Sequence, residues 1–286
     1  MVIFDGKIYQ QTELPSAMWN RSFRYGDGLF ETIRVYQGGP ILLQDHFERL
    51  MRGMALLGYQ VNWEEWEYSI RSSIHELLEK QEVAGAGRLR LHVWRSGGGT
   101  YRPEQDTPHY LLEHGWLSQE FFREPIIASL ADYHGSAVYP SALSSIKTAS
   151  ALPYVLAARH AREAGTSDAV IYNHKGQIVE TSASNIFIVK GTTITTPPIG
   201  SGCLDGVMRK NILRILESLP YQVEESAIPV KKMIQADAVF LTNSIRGIQA
   251  VSEFKGRKWE QEDWKHVLFL QKTWLNRVEF IQKPWR

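Results

Sequence analysis

One lysine stands among small and hydroxylated residues in the segment SSIKTASALPYVLAARHA, which spans residues 144–161. Lys147 has no acidic residue four positions away and belongs to no run of charges. A lysine that is partly removed from water loses its proton more easily, becomes nucleophilic and can form a Schiff base with a carbonyl group. An exposed lysine without a special role is the ordinary alternative. Lys147 is therefore a candidate catalytic residue that needs support from elsewhere in the chain.

A second candidate group lies in the segment CLDGVMRKNIL, residues 203–213, where a glycine precedes an amphipathic run. The amides of Val207 and Met208 would project from the start of a helix, where the helix dipole favours an anion. This pattern predicts a phosphate site. The alternative is an ordinary junction between a loop and a helix, with Asp205 as the N-cap.

Arg49, in the segment DHFERL, could supply a forked donor to the same phosphate. Pairing of Arg49 with Glu48 or Asp45 is the alternative. Neither the arginine nor the helix start identifies a phosphate site by itself.

Glu180 ends a predicted strand in the segment VETSASNIF, residues 179–187. A carboxylate in that place could keep a pyridinium nitrogen protonated, which makes a pyridoxal ring an electron sink. The alternative is a surface glutamate that follows a strand. A lysine, an anion site and such a carboxylate are the parts that a pyridoxal phosphate enzyme requires, so their coincidence is more informative than any one of them.

Composition and missing motifs exclude other classes of function. The 286 residues are 43% hydrophobic and 22% charged with a formal charge of +1, so no nucleic-acid partner is expected. The single cysteine, Cys203, excludes an intrachain disulfide and a cysteine-based zinc cluster. We find no metal-binding, Walker or G-x-S-x-G motif. Without a signal peptide or an apolar run of membrane-spanning length, we expect a cytoplasmic protein with no membrane partner.

The first half of the chain predicts an α+β arrangement. Its elements are a hairpin at residues 2–9 around Asp5-Gly6, two strands joined at Gly38-Gly39, a helix ending at Gly58, a helix opened by an Asn62–Glu65 capping box, and strands at residues 88–95 and 109–117.

The second half repeats this mixture after a predicted linker, SQEFFREP at residues 118–125. We place the domain boundary near residue 120, which gives a smaller domain at 1–119 and a larger one at 120–286. The predicted elements are strands at 126–130, 168–173, 177–180, 185–190 and 238–242, and helices ending at Gly165, covering 206–219 and covering about 262–282.

Several of these motifs, in this order, resemble the class IV, fold-type IV family of pyridoxal phosphate enzymes. The family includes branched-chain aminotransferases, D-amino acid aminotransferases and aminodeoxychorismate lyases. The resemblance covers almost the full length and rests on YGDGLFETIRV, HFERL, IKTASALPYVLAARHAREAG, IVETSASNIFIV, CLDGVMR and VFLTNSIRGIQAV.

The resemblance implies a role for each matching residue. Lys147 matches the Schiff-base lysine, Glu180 the residue facing the pyridine nitrogen, and Arg49 the phosphate-binding arginine. The remaining cofactor-binding positions implied are Ser184, Leu204, Gly206, Val207, Met208 and Ser244. The implied fold is a two-domain α+β fold with pyridoxal 5'-phosphate in the cleft between the domains. A homodimer whose partner helps to complete the pocket is implied as well.

The choice of reaction depends on the substrate pocket. The strand and glycine-rich turn RLRLHVWRSGGGTY and the segment TNSIRGIQAV resemble the lyase pattern. Branched-chain enzymes carry a tyrosine soon after the lysine, where this chain has Leu152, with Tyr154 farther on. We therefore favour 4-amino-4-deoxychorismate lyase activity, which eliminates pyruvate and yields 4-aminobenzoate. An aminotransferase of the branched-chain or D-amino acid type is the alternative.

Arg90 is the first candidate for binding the substrate carboxylate. Strand alternation places it opposite Leu89 and Leu91, so it could face the cleft and pair with a carboxylate at two points. The alternative is a solvated strand face that Arg90 shares with Arg88. The weaker candidates for the same role are Tyr25, Arg95, Tyr101, Arg102 and Arg246.

Overall fold

The structure, a computed structural model, describes residues 2–4, 7–9, 20–83, 85–117 and 126–281. The predicted linker at residues 118–125, with the boundary near residue 120, lies outside the described residues, as does the Asp5-Gly6 turn. The division of the chain at residue 120 therefore stays a prediction.

The described residues of the first part of the chain form two antiparallel sheets and three helices. The elements are β1 (Val2–Phe4), β2 (Lys7–Tyr9), α1 (Arg21–Tyr25), β3 (Gly28–Tyr36), β4 (Gly39–Pro40), α2 (Leu43–Leu56), α3 (Trp63–Lys80), β5 (Gly87–Arg95) and β6 (Pro108–Trp116). β1 pairs with β2, which confirms the predicted hairpin. The four-stranded sheet has the order β4-β3-β5-β6.

Alternation along β3 and β5 separates a core face from a polar face in this sheet. Leu29, Ile33 and Leu89 belong to the apolar cluster that packs the sheet against α2 and α3. The opposite face of the same strands carries Thr32 and Arg90, which are directly paired across the two strands. The second part of the chain meets the sheet on this polar face.

Two details of the first part differ from the sequence prediction, and one, the stop of α2 at Gly58, agrees with it. β4 has only two residues, because Leu42 takes a left-handed φ of 55° and α2 begins at once. The helix α2 ends at Leu56, just before Gly58 with its φ of 75°. Asn62 is the N-cap of α3 but its side chain makes no capping hydrogen bond, so the predicted capping box is wrong.

The second part of the chain is built on one large mixed sheet. Its elements are β7 (Ile126–Asp132), α4 (Leu152–Glu163), β8 (Asp168–Tyr172), β9 (Ile178–Thr181), β10 (Asn185–Lys190), β11 (Thr193–Thr196), α5 (Val207–Leu216), β12 (Gln222–Glu225), α6 (Val230–Ile234), β13 (Ala238–Asn243), β14 (Gly247–Phe254), β15 (Arg257–Lys258) and α7 (Lys265–Ile281). The strand order is β12-β11-β10-β13-β14-β7-β8-β9, with β15 beside β14.

The large sheet is antiparallel except where β11 meets β12, β14 meets β7 and β7 meets β8. Its main apolar cluster includes Phe187 and Phe240, whose rings stack at 4.8 Å between centroids, together with Trp264 and Trp274 from the C-terminal helical region. The predicted final helix is confirmed from Lys265 onward; its first turn, Gln261–Trp264, is a 3-10 helix, and Gln282 lies outside the described residues.

The helices of the described part of the chain are each too short or too polar to cross a bilayer.

Candidate active site

A cavity of about 870 Å³ lies between the polar face of the four-stranded sheet and the second part of the chain. The residues predicted to be catalytic or to bind the cofactor all line this cavity. They are Lys147, Arg49, Glu180, Ser184, Leu204, Gly206, Val207, Met208 and Ser244. The tertiary structure thus brings together residues that are spread over almost 200 positions of sequence.

The segment around Lys147 is positioned by β3, although the two are far apart in sequence. The amide of Phe30 donates to the carbonyl of Lys147 at 2.9 Å, and the amide of Ala149 donates to the carbonyl of Gly28 at 2.8 Å. Ile146 packs into the apolar cluster of the first part of the chain. The lysine is therefore held at the contact between the two parts.

The Lys147 amine lies in an environment that favours its uncharged form. Its Nζ is 4.5 Å from the centroid of the Phe30 ring. Burial, with a contribution from the cationic Arg49, lowers the pKa of Lys147 to about 8, against the opposing effect of Glu31 and Glu180. A lysine amine with this pKa is uncharged and nucleophilic in a useful fraction near neutral pH. The exposed-lysine alternative is therefore wrong.

The lowered pKa of Lys147 predicts the pH dependence of covalent cofactor binding. Because only the uncharged amine attacks a carbonyl, the rate at which cofactor-free protein binds pyridoxal phosphate should rise with pH and level off above about pH 8. Stopped-flow absorbance measures this rate, and a free lysine derivative corrects for the ionisation of the cofactor itself. A rate that keeps rising toward the ordinary lysine pKa of 10.5 contradicts the prediction.

Glu180 is buried in β9 and receives two hydrogen bonds. The hydroxyl of Tyr154 donates to its Oε1 at 2.8 Å, and the amide of Leu204 donates to its Oε2 at 3.1 Å. Burial raises the pKa of Glu180 to about 7 against the effect of these two donors. The surface-glutamate alternative is wrong, because only 3% of this residue is exposed.

Tyr154 is a site residue to which the sequence assigned no role. It lies in the first turn of α4 and on the wall of the cavity, and its hydroxyl reaches Glu180. Leu152, two residues earlier, is 73% exposed. The spacing from Lys147 did not reveal this contact, because it depends on the direction in which α4 leaves the lysine segment.

The predicted phosphate site is formed by the start of α5. Gly206 is the N-cap and has no side chain to cap the helix, so the first amides, those of Val207 and Met208, are open to a ligand. Asp205 is not the N-cap, because its carboxylate pairs with Arg52 at 2.5 Å. A Cβ at Gly206 would lie 1.8 Å from Oδ1 of Asn185, so a side chain cannot replace this glycine without moving its neighbour.

Further donors on the cavity wall fit a phosphate group at this helix start. Ser244 lines the cavity, and Oγ1 of Thr242, also on the wall, is buried without a hydrogen-bond partner among the described residues. Buried hydroxyls in proteins are normally hydrogen-bonded. Amides, hydroxyls and an arginine form a donor set suited to a phosphate.

Arg49 is the cation at this site, and its partners are neither Glu48 nor Asp45. Its Nε and Nη2 donate to the carboxylate of Glu31, and its Nη1 donates to the carbonyl of Asp205 at 3.1 Å. Glu48 instead accepts a hydrogen bond from Nζ of Lys210, at 2.7 Å. Arg49 therefore connects the helix α2 with the residue just before α5.

The cavity wall also carries two arginines outside the phosphate site, Arg88 and Arg246. Within the described ranges neither of them forms a salt bridge. Arg90, the first candidate for the substrate carboxylate, is on the same strand face as Arg88 but does not line the cavity. Its guanidinium lies over the Phe30 ring, 4.1 Å from the centroid. The structure places Arg88 where the sequence favoured Arg90.

Four weaker candidates for substrate binding lie outside the cavity of this chain: Tyr25, Arg95, Tyr101 and Arg102. Arg95 is buried and pairs with Asp27 and Asp106, because strand alternation places it on the same core face of β5 as Leu89. The exposed ring of Tyr101 packs on that of Tyr25, with 5.7 Å between centroids. A substrate-binding role for these four residues therefore stays a prediction, with no support from the cavity of a single chain.

Comparison with known proteins decides the family. The sequence profile described as amino-transferase class IV matches residues 28–254, well over half of the chain. The chain belongs to the class IV aminotransferase family. It is therefore a pyridoxal phosphate-dependent enzyme, which confirms the predicted cofactor.

Relatives with different activities are about equally similar to this chain. D-alanine aminotransferase of Bacillus licheniformis is 25% identical over 263 residues, covering 90% of this chain and 89% of the relative. Aminodeoxychorismate lyase of Bacillus subtilis (strain 168) is 26% identical over 251 residues, covering 86% and 83%. Sequence identity alone does not separate a transferase from a lyase here.

A solved structure confirms the predicted two-domain α+β fold. The branched-chain aminotransferase of Thermoproteus uzoniensis, crystallised with norvaline, matches with a TM-score of 0.84 at 23% identity, covering 98% of this chain and 95% of that chain.

Proposed function

We propose that this family member is a 4-amino-4-deoxychorismate lyase, which releases pyruvate and forms 4-aminobenzoate. The observation that carries the proposal is the pair of arginines, Arg88 and Arg246, on the cavity wall away from the phosphate site. This substrate carries two carboxylates, one on its ring and one on its enolpyruvyl group. Arginine is the side chain best suited to pair with a carboxylate at two points.

The cofactor supplies an aldehyde carbon that bonds to amines and a ring that accepts electrons. Lys147 would bind the cofactor covalently, and its amine would be the base that removes a proton from the substrate. Arg49, the first amides of α5 and Ser244 bind the phosphate group. Glu180 holds a proton on the ring nitrogen, and Tyr154 and the Leu204 amide fix the carboxylate for that purpose.

The sequence pattern supports the same choice. The strand and turn RLRLHVWRSGGGTY and the segment TNSIRGIQAV resemble those of the lyases. Leu152 occupies the position where branched-chain enzymes carry a tyrosine, and this side chain is mostly exposed.

An amino acid aminotransferase is the second candidate. Part of the cavity wall is apolar, with Phe30, Leu143 and Ile146 near Lys147, and such a surface suits an aliphatic side chain. In that reaction Lys147 would hold and relay the proton taken from the substrate, no pyruvate would be lost, and a keto acid would be the acceptor of the amine.

We also propose a homodimer. Large apolar side chains are exposed near the cavity mouth on α4, where Leu152, Val155 and Leu156 are 73%, 58% and 45% exposed. Exposed apolar patches of this kind mark interaction surfaces in many proteins. A second copy of the chain is the partner that the family resemblance implies.

A substrate comparison tests the proposed reaction. We expect purified protein loaded with cofactor to convert 4-amino-4-deoxychorismate into equal amounts of pyruvate and 4-aminobenzoate, measured by coupled absorbance and by fluorescence. In parallel, L- and D-amino acids are added without a keto acid while the visible absorption of the cofactor is recorded. An amino acid that bleaches this band, with no pyruvate formed from the chorismate derivative, identifies an aminotransferase and the stereochemistry of its donor.

A further inference from the structure

Behind Arg49 lies a buried acid to which the proposed function assigns no role. Glu31 points from the core face of β3 toward α2 and is 1% exposed. Its Oε1 accepts a hydrogen bond from Nε of Arg49 at 2.9 Å, and its Oε2 accepts one from Nη2 at 2.5 Å. Two parallel hydrogen bonds fix the plane of a guanidinium as well as its position.

His46 holds the other side of this carboxylate. Its Nδ1 lies 2.6 Å from Oε2 of Glu31, and the imidazole is 1% exposed. Burial lowers the pKa of His46 despite the neighbouring carboxylate, so the ring is neutral near pH 7 and Nδ1 is the nitrogen that donates. Glu31 stays ionised, because Arg49 and His46 outweigh the effect of burial and lower its pKa to about 2.

The hydrogen bonds of Arg49 leave a defined number of donors for a ligand. A guanidinium has five N–H groups. Glu31 takes two of these and the carbonyl of Asp205 takes one, so two N–H groups remain, one on Nη1 and one on Nη2. Arg49 lines the cavity, so these donors are available at the predicted phosphate site.

We propose that Glu31, itself oriented by His46, is a positioning residue for the phosphate group of the cofactor. It holds the Arg49 guanidinium so that both remaining N–H groups point at one oxyanion. The inference rests on the proposed phosphate role of Arg49. Removing the negative charge of Glu31 therefore weakens phosphate binding. Electrostatics alone predicts the opposite, because the site becomes more positive.

Comparison of two ligands tests this role. In cofactor-free Glu31→Gln, we expect the dissociation constant for pyridoxal phosphate, measured by absorbance titration, to rise about tenfold, because the amide cannot accept both arginine hydrogen bonds. The dissociation constant for pyridoxal, which lacks the phosphate, should change by less than about twofold, because Lys147 and Glu180 are intact. A general loss of structure would weaken both ligands.

Glu31→Asp separates position from charge. The shorter side chain keeps the negative charge but cannot span both nitrogens of Arg49, so it should also weaken pyridoxal phosphate selectively. Asp45→Asn is the matched control, because Asp45 is a buried acid on α2, the helix that carries Arg49, and its partners do not line the cavity. These partners are Asn211, Lys210 and Arg214. Circular dichroism confirms that each variant is folded at the titration temperature.

Arg49→Ala distinguishes the two ways in which the inference can fail. If it weakens pyridoxal phosphate and Glu31→Gln adds nothing further in the double variant, the two residues act as one unit and the inference holds. If Arg49→Ala is without effect, the phosphate role of Arg49 is wrong and the inference falls with it. The inference alone is overturned if Arg49→Ala weakens the binding of pyridoxal phosphate while Glu31→Gln strengthens it. It is also overturned if Glu31→Gln weakens pyridoxal phosphate and pyridoxal equally.

Discussion

Lys147→Ala is expected to abolish covalent attachment of pyridoxal phosphate and to lower kcat by about 10³-fold or more. In the proposed mechanism the same amine binds the cofactor and moves the substrate proton, so both steps lose their only suitable group on the cavity wall among the described residues. The fold should survive, because the segment is held by the backbone hydrogen bonds of Phe30 and Ala149 and by Ile146.

Borohydride reduction followed by intact-protein mass spectrometry measures the attachment. Wild-type protein should gain the mass of one cofactor, and Lys147→Ala should gain none. Lys175→Ala is the matched control, because Lys175 is exposed in the turn between β8 and β9 and does not line the cavity. A Lys147→Ala protein that still acquires the cofactor covalently would falsify the assignment of the catalytic lysine.

Glu180→Gln is expected to lower kcat by about 10²-fold or more while leaving the cofactor covalently bound. Glutamine keeps an acceptor for Tyr154 or for the Leu204 amide but has no negative charge. Without that charge the ring nitrogen loses its proton more easily, and the ring accepts electrons less well. The lysine is untouched, so attachment persists.

Steady-state kinetics and the visible spectrum of the same preparation separate the two effects of Glu180→Gln. Glu163→Gln serves as the comparison, since Glu163 is an exposed acid on α4 whose partner is Arg159. Wild-type kcat in Glu180→Gln would show that this carboxylate does not act on the ring. Loss of attachment along with activity would instead mean that the residue maintains the cavity around Lys147.

The candidate substrate-binding residues were harder to place on the cavity wall from the sequence than the candidate cofactor-binding ones. Alternation along β5 correctly places Arg88 and Arg90 on one face, but it cannot tell which of them reaches the cavity. The ring of Phe30, on the neighbouring strand, holds the Arg90 guanidinium and leaves Arg88 on the wall. The same alternation places Arg95 on the core face with Leu89, where Asp27 and Asp106 pair with it.

The strands that were missed lack a clear alternation, for one of two physical reasons. β11, β12 and β15 are four residues long or shorter, and such runs carry too little alternation to stand out from a loop. β14 is longer, but it is buried on both faces over Ile248–Val251 and therefore lacks a clear period of two. Pairing within the large sheet stabilises these strands.

The sequence by itself determined the family, the cofactor and the candidate groups of its site, because Lys147, Glu180 and the helix start after Gly206 lie in motifs that are local in the chain. Only the tertiary structure decided how these groups are held. Pairing of the lysine segment with β3, and the contact of Glu31 with Arg49, join residues far apart in sequence. Local periodicity indicates which face of a strand or helix a residue occupies. It does not indicate which residues lie opposite that face once the chain has folded.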